Sequence, residues 1–446
     1  MIHTSGSSRK FTVVGAGLGG ALMALDLAKH GHEVAIYEKR SDPRGGNAAA
    51  GRSINLAIST RGIAALERVG VAESVLQDAI PMRGRMLHSP AGELKYLPYA
   101  VDGQQAIQSV SRLGLNIRLM DAAEHEGGVP IHFDQQCVDW DPNSGEVTFE
   151  HGETGETTTI RDSVIVAADG AFSAIRGRMQ RMNRFSYSQD YLAHGYKELT
   201  IPADAGGAFR IEKNALHIWP RGGYMMIALP NPDGSFTCTL FWPFEGPNSF
   251  AALDSPAKIE SFFKEHFGDA VPMMPTLVED YQQNPTSSLV TVRCSPWHHE
   301  DRAVLLGDAC HAIVPFYGQG ANAAFEDCIV LSECLEQHGS DLGHAFREYD
   351  RIRKENVDTL ADLAIANFLE MRDHVNSPVF RARKQVEKAV ARIAPWWYIP
   401  LYTMVTFSRI PYREAVRKAR RQDRIVAWTA LVLVLVVAIA LIRWLT

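Results

Sequence analysis

The sequence predicts an α/β protein: a Rossmann-like dinucleotide-binding domain with an interleaved β-sheet domain, a helical C-terminal region and a C-terminal transmembrane helix. Three observations carry this. A glycine-rich turn joins a buried strand to an apolar helix within the first thirty residues; two further apolar runs end in Asp-Gly and Gly-Asp; and a charge-free apolar run lies near residue 430. The 446 residues leave room for two interleaved domains and an appendage.

Phe11 to Val14 reads as a short buried strand, Gly15-Ala16-Gly17-Leu18-Gly19-Gly20 as a tight turn, and Ala21 to His30 as a helix that Gly31 ends. Glu33 to Glu38 is the second strand. Segment 1–9 is polar and reads as a flexible N-terminus without the apolar core of a secretion signal. The dinucleotide domain is expected over 10–185, with part of the second domain near 76–110, and again over 288–340. Between them, 186–287 is rich in Thr, Phe, Tyr and Trp with turn signals such as Asn231-Pro232-Asp233-Gly234, the mark of antiparallel sheet. Residues 341–424 read as helical and charged.

Ile425 to Ile442 is 18 residues without a charge, preceded by the basic run Arg417 to Arg424 and followed only by Arg443 to Thr446. At about 1.5 Å per residue such a helix nearly matches a hydrocarbon core of ~30 Å, and Trp428 and Trp444 fall near its ends, where indoles prefer the interface. The basic flank on its N-terminal side places residues 1–424 on the cytoplasmic side. A net charge of −6, with no basic stripe interleaved with aromatics, gives no support for a nucleic-acid partner. The six cysteines show no CxxC spacing and several sit in apolar runs, so they read as buried thiols of a reducing compartment and not as a metal site.

Gly15-x-Gly17-x-x-Gly20 is the chemical core of the N-terminal unit. Gly15 permits the sharp turn, Gly17 lets backbone N–H groups approach a pyrophosphate, and Gly20 lets helix and strand pack closely. Glu38 closes the second strand where an acid accepts from ribose hydroxyls. Together these point to an adenine dinucleotide without saying which. Val164 to Arg176 adds a buried strand ending in Asp169-Gly170, and Val304 to His311 another ending in Gly307-Asp308, followed by Pro315 and Gly318 to Asn322. Each alone could be an ordinary strand–turn–helix.

All three in this order resemble the flavoprotein aromatic hydroxylases, whose fingerprints are a GxGxxG turn, an Asp-Gly segment touching FAD and NADPH, and a Gly-Asp segment touching FAD ribityl. Narrower stretches are similar to the branch of that family that acts on kynurenine: Gly51 to Ala57, Ser109 to Arg112, His194 to Leu199, Leu216 to Arg221, Pro315 to Gly320 and Tyr402 to Arg409. The resemblance runs from about Phe11 through Val416. It implies tightly but non-covalently bound FAD, NADPH as a transient co-substrate, and O₂. L-kynurenine would become 3-hydroxykynurenine by way of a flavin C4a-hydroperoxide, in tryptophan degradation or NAD precursor synthesis.

The resemblance assigns the amino-acid end of the substrate to Arg85, Tyr99, Asn367 and Tyr402, and the aromatic ring to Phe241 and Phe316, with Pro315 to Gly320 along the flavin edge. A guanidinium can grip a carboxylate with two parallel hydrogen bonds, which suits Arg85 to that end. For FAD it carries over Leu18, Glu38, Lys39, Arg40, Ala57, Arg112, Cys137, Ala174, Asp308, Ala321 and Asn322, beside Gly15, Gly17, Gly20, Asp169 and Gly320. Ala174 stands where a Thr is familiar and Ala321 where Met is usual, so both are expected to act through backbone atoms. No general base is assigned, since the ring amine ortho to the attacked carbon already activates it. A hydroxylase of another aromatic acid, or a flavin-binding membrane adaptor without turnover, are the competing readings. Pro395 to Pro400 approaches a halogenase motif but lacks its first Trp, and reads as helix packing or interfacial aromatics.

Overall fold

The computed structural model describes residues 8–45, 55–100, 103–370, 386–387 and 389–445, in two compact units, Met1–Val375 and Asn376–Thr446. Most of the expected flexible N-terminus and the first four residues of the Gly51 to Ala57 stretch lie outside the described residues.

Val13, Val14, Ile36, Ile165, Val166, Val304 and Leu305 are fully or almost fully buried, so their strands are covered on both faces, as parallel strands require. They form the first unit's six-stranded sheet, in the order His298–His299, Ala303–Leu305, Val164–Ala167, Lys10–Val14, Glu33–Tyr37, Ile131–His132. All neighbours are parallel except the first pair. The helix Leu18–Lys29 buries every residue from Gly20 to Leu27, because it is packed by the sheet and by the helices Arg112–His125 and Gly320–His338. That explains its lack of a polar face.

The second large sheet has seven strands, ordered Ser287–Ser295, Ser186–Ile201, Phe236–Pro243, Met225–Pro230, Ala215–Pro220, Gly84–His88, Leu94–Pro98. Ala215–Pro220 lies parallel to Gly84–His88, so the segment near 84–98 is added to the edge of a later antiparallel sheet. The sheet also runs past residue 287, to Ser295. Alternation gives it two faces. Trp219, Met226, Leu240 and Trp242 pack on Phe262 and Phe263 of the helix Pro256–His266 and on Leu277 and Tyr281. Residues of opposite parity, Ile227, Phe241 and Tyr196 among them, turn the other way and meet Val314, Phe316 and Phe368.

The long helix Leu342–Leu369 belongs to the first unit. In the second, the helix Leu401–Thr406 packs on the helix Tyr412–Leu445, whose apolar run is unburied and long enough to cross a membrane. All six cysteines are buried and unpaired.

Candidate dinucleotide and substrate site

Three glycines of the first turn serve three distinct geometries. Gly15 has φ +100°, and a Cβ there would stand 2.6 Å from Ala168 O. A Cβ on Gly20 would stand 2.0 Å from Gly15 O. Both are demands of the fold. Gly17 is extended, at φ −67° and ψ 178°, and a Cβ on it would meet nothing within 4 Å. It faces open space, at the start of a helix with no side-chain cap, where free N–H groups and the helix dipole favour an anion. Glu38, 6% exposed, accepts from Ala16 N at 2.8 Å through Oε2 and from Arg40 N and Nε at 3.0 and 2.9 Å through Oε1. It therefore already braces the turn that it borders. Leu18 is half-buried, while Lys39 and Arg40 are exposed.

The two neighbouring strand ends converge beside this turn. Asp169 accepts from Ala174 N at 2.7 Å through Oδ2, so the Ala174 N–H is already spent on Asp169. Asp169 Oδ1 is buried and takes no hydrogen bond among the described residues, and burial raises this carboxyl above its ordinary value. Arg176 joins this strand end to the next, donating to Ala171 O at 2.6 Å and Ala309 O at 2.8 Å. Asp308 follows Gly307, which has φ +60°. Asp308 is exposed, yet protein surrounds it closely enough for burial to raise its carboxyl, against the pull of His311 and Arg112. Asp308 thus borders the crevice that lies outside the carboxyl ends of parallel strands, just after the strand Ala303–Leu305. Burial pushes the Cys137 thiol far up, with Asp169 and Asp139 adding to it, so it is an inert thiol.

Asn322, 0% exposed, is a clamp: its Oδ1 accepts from Ser59 N at 2.8 Å, and its Nδ2 donates to Ala57 O at 2.9 Å and Gly318 O at 3.1 Å. Ala57, Gly318, Gly320 and Ala321 are thereby gathered at the start of the helix Gly320–His338. Behind them Arg353 donates to Asp327 at 2.7 Å and Glu326 at 2.5 Å, Arg61 also pairs with Glu326, and His311 Nε2 lies 2.5 Å from Asp327. Cys310, His311 and Asp327 bring ligand atoms within 4.8 Å of one another, but Asp327 is committed to Arg353 and His311, which makes this a charge-balanced buried network.

The substrate candidates fall into two groups on one sheet face. The Arg85 guanidinium lies over the Tyr99 ring at 5.7 Å. Phe241 packs on Phe316 at 5.0 Å, Phe316 stacks on Phe368 at 4.3 Å, and Asn367 donates to Phe316 O at 2.7 Å. Register, through Arg85↔Leu216, Ile218↔Ile227 and Met225↔Phe241, puts Arg85 and Phe241 on the same face. Tyr402 belongs to the other unit, edge-on to Phe407 at 6.4 Å. The sequence reading assigned no role to Phe368, Tyr196 or His194, which build the same apolar cluster or border it. His194 and Tyr196 lie in the quoted stretch His194 to Leu199 and Phe368 follows Asn367, but helix and strand periodicity alone cannot say which residues face a loop 50 or more positions away.

A glycine turn and two further strand ends at the carboxyl ends of parallel strands, together with a second sheet that carries an arginine and an aromatic cluster, define a dinucleotide-binding flavoprotein class. Residues 9–362 match the FAD binding domain family. The structure resembles 2-methyl-3-hydroxypyridine-5-carboxylic acid oxygenase with TM-score 0.68, at 22% identity over 84% of this chain and 95% of that one, a likeness of fold. Kynurenine 3-monooxygenase of Myxococcus xanthus is 51% identical over 93% of this chain and 89% of its own length. That of Salinispora tropica is 48% identical over 97% and 95%. The chain belongs to the kynurenine 3-monooxygenase family of FAD-dependent flavoproteins.

Proposed function

We propose that the chain hydroxylates L-kynurenine to 3-hydroxykynurenine, consuming NADPH and O₂, with FAD as its resident cofactor. One observation carries this: Arg85 and Phe241 share the sheet face, and Phe241 packs on Phe316 in the loop that follows Asp308. A carboxylate-gripping cation and an aromatic wall thus flank the crevice, suited to the two ends of an aromatic amino acid.

The residues fit the cofactor. Gly17 leaves room for a pyrophosphate, and the unsatisfied Asp169 Oδ1 and the crevice-facing Asp308 offer acceptors for hydroxyls. Glu38, Lys39 and Arg40 border the ribose end, with Leu18, Arg112, Cys137 and Ala174 along the dinucleotide. Ala57, Gly320, Ala321 and Asn322 hold the loop beside the reacting ring, Asn322 through its backbone because its side chain is fully engaged. FAD, when bound, supplies electron transfer from NADPH to O₂ and delivery of one oxygen atom.

The chain's own task is to bind, orient and exclude water. Arg85 and Tyr99 hold the amino-acid end, with Asn367. Phe241 and Phe316 pack the ring and keep its environment dry. No side-chain base is required, since the ring amine supplies the activating electron pair and the ring proton can leave once product release readmits solvent. Mass spectrometry of the product from kynurenine, NADPH and O₂ tests this. Hydroxylation of phenolic acids but not of kynurenine would overturn it.

The second unit is a membrane anchor in this reading. Its helix Tyr412–Leu445 is 34 residues long, about 50 Å, so residues 412–424 stand outside a ~30 Å core that 425–442 can span. The flanking arginines favour the cytoplasmic side for residues 1–424.

A further inference from the structure

An anchor needs only one apolar helix, yet the second unit carries another exposed apolar group. Trp396 is 81% exposed and Ile393 is 77% exposed. Large apolar side chains this open, side by side in one short segment, are a marked feature of a surface.

Their segment is not loose. Trp397 N and Tyr398 N both donate to Ala394 O, at 3.0 and 2.9 Å, which closes a turn around Trp396. Gln422 Nε2 donates to Trp397 O, and the buried Tyr398 donates to Asp423 Oδ1 at 2.9 Å. The turn is thus bolted to the last helix at positions 422 and 423, immediately before the apolar run begins at Ile425. Trp396 is held level with the point where the helix changes from basic to apolar. Trp428, 67% exposed, lies just inside that boundary.

Around the same level Arg417, Lys418, Arg420, Arg421 and Arg424 are all exposed. A second copy of this chain seated on the patch would bring two such cationic sets together. Anionic headgroups would complement them, and an indole ring prefers that boundary between headgroup and acyl chain.

We propose that Ile393 and Trp396 form an interfacial docking surface that seats in the headgroup region of an anionic bilayer. It lies beside the point where the last helix enters, so the second unit meets the membrane on two elements instead of hanging from one. This rests on the reading of residues 425–442 as a membrane span. The surface orients the unit that carries Tyr402, and it senses lipid charge.

The test uses the full-length FAD-loaded protein, reconstituted into phosphatidylcholine vesicles with and without phosphatidylserine, and a lipid bearing a spin label at headgroup depth. Wild type and Trp396→Phe are compared, so that their difference isolates one indole among eight. The expected result is a Trp396 component that is blue-shifted and strongly quenched, more so with phosphatidylserine. Ile393→Asp should lose most of that quenching while the protein stays in the vesicle fraction. Equal quenching in wild type and Trp396→Phe would overturn the docking surface while leaving the anchor intact. Dimerisation that Trp396→Asp abolishes, with Trp396 unquenched, would assign the patch to a second copy and also overturn it. Failure of the wild type to enter vesicles at all would sink the anchor reading, and this proposal with it.

Discussion

Arg85 and Asp308 are both ionisable, and their surroundings differ. Arg85 is half-buried with its guanidinium over the Tyr99 ring, and in the proposed site its planar fork takes the substrate carboxylate. Arg85→Lys should lose most activity, because an ammonium keeps the charge and loses the fork. Arg85→Ala should weaken kynurenine binding by about one to two decades, corresponding to roughly 1.5–3 kcal/mol for a charged hydrogen-bond partner. Titration of kynurenine against flavin absorbance would measure both, and unchanged affinity in the alanine variant removes Arg85 from the site. Asp308→Ala should purify with little or no yellow colour, since it loses an acceptor on the crevice wall; full flavin occupancy would refute that placement. His217 supplies a pH effect whose sign follows from its burial. Burial lowers its pKa from 6.5 to about 4, with its Nε2–H donated to Glu212 O at 2.7 Å and its Nδ1 2.9 Å from His88 Nε2. The unfolded chain takes up the proton near 6.5 and the folded one does not, so the stabilising effect is complete above that value. It is lost as pH falls from 6.5 towards 4, by at most about 3 kcal/mol. Urea melts of wild type and His217→Phe over that window should diverge in slope against pH, and parallel curves would show that His217 contributes nothing.

At the scale of elements, the first turn separates two meanings of glycine that a sequence pattern merges. Gly20 is required by the fold, since its Cβ would sit 2.0 Å from a backbone oxygen that cannot swing away. Gly20→Ala should therefore destabilise even the flavin-free protein, by about 1–3 kcal/mol as overpacking does. Gly17 is required only by what approaches it, because its backbone is extended and its Cβ would meet nothing. Gly17→Ala should leave the melting of the flavin-free protein within about 1 kcal/mol of wild type. It should still weaken FAD by about ten-fold or more, because the methyl group would stand where the pyrophosphate passes. Calorimetry of stripped protein followed by FAD titration separates the two. If both variants melted alike and bound FAD alike, the division of roles would be wrong.

At the scale of the whole molecule, the proposed anchor is tested by truncation. Deleting residues 425–446 should release the protein from membranes, because the described residues of the apolar run are unburied and it is the proposed span. Fractionation in high salt and then in detergent reads this out: full-length protein should need detergent and the truncated form should not. A full-length protein soluble without detergent would mean that the helix is covered by something other than lipid.

The sequence by itself determined what depends on neighbours along the chain. The Gly15 to Gly20 turn, the apolar strands ending in Asp169 and Asp308, and the charge-free run from Ile425 are legible because turn geometry, strand burial and span length are set by local composition. It also carried enough family pattern to point to the cofactor. The tertiary structure alone decided how distant segments meet. The strand Gly84–His88 joins the edge of a sheet built mainly from 186–295, and only that register sets Arg85 on the face of Phe241. The Asn322 side chain is a clamp that spans residues 57, 59 and 318, which leaves its backbone as the part that can meet a cofactor. Strand pairing and buried hydrogen bonds across hundreds of residues depend on which surfaces exclude water together, and no window of sequence contains both partners.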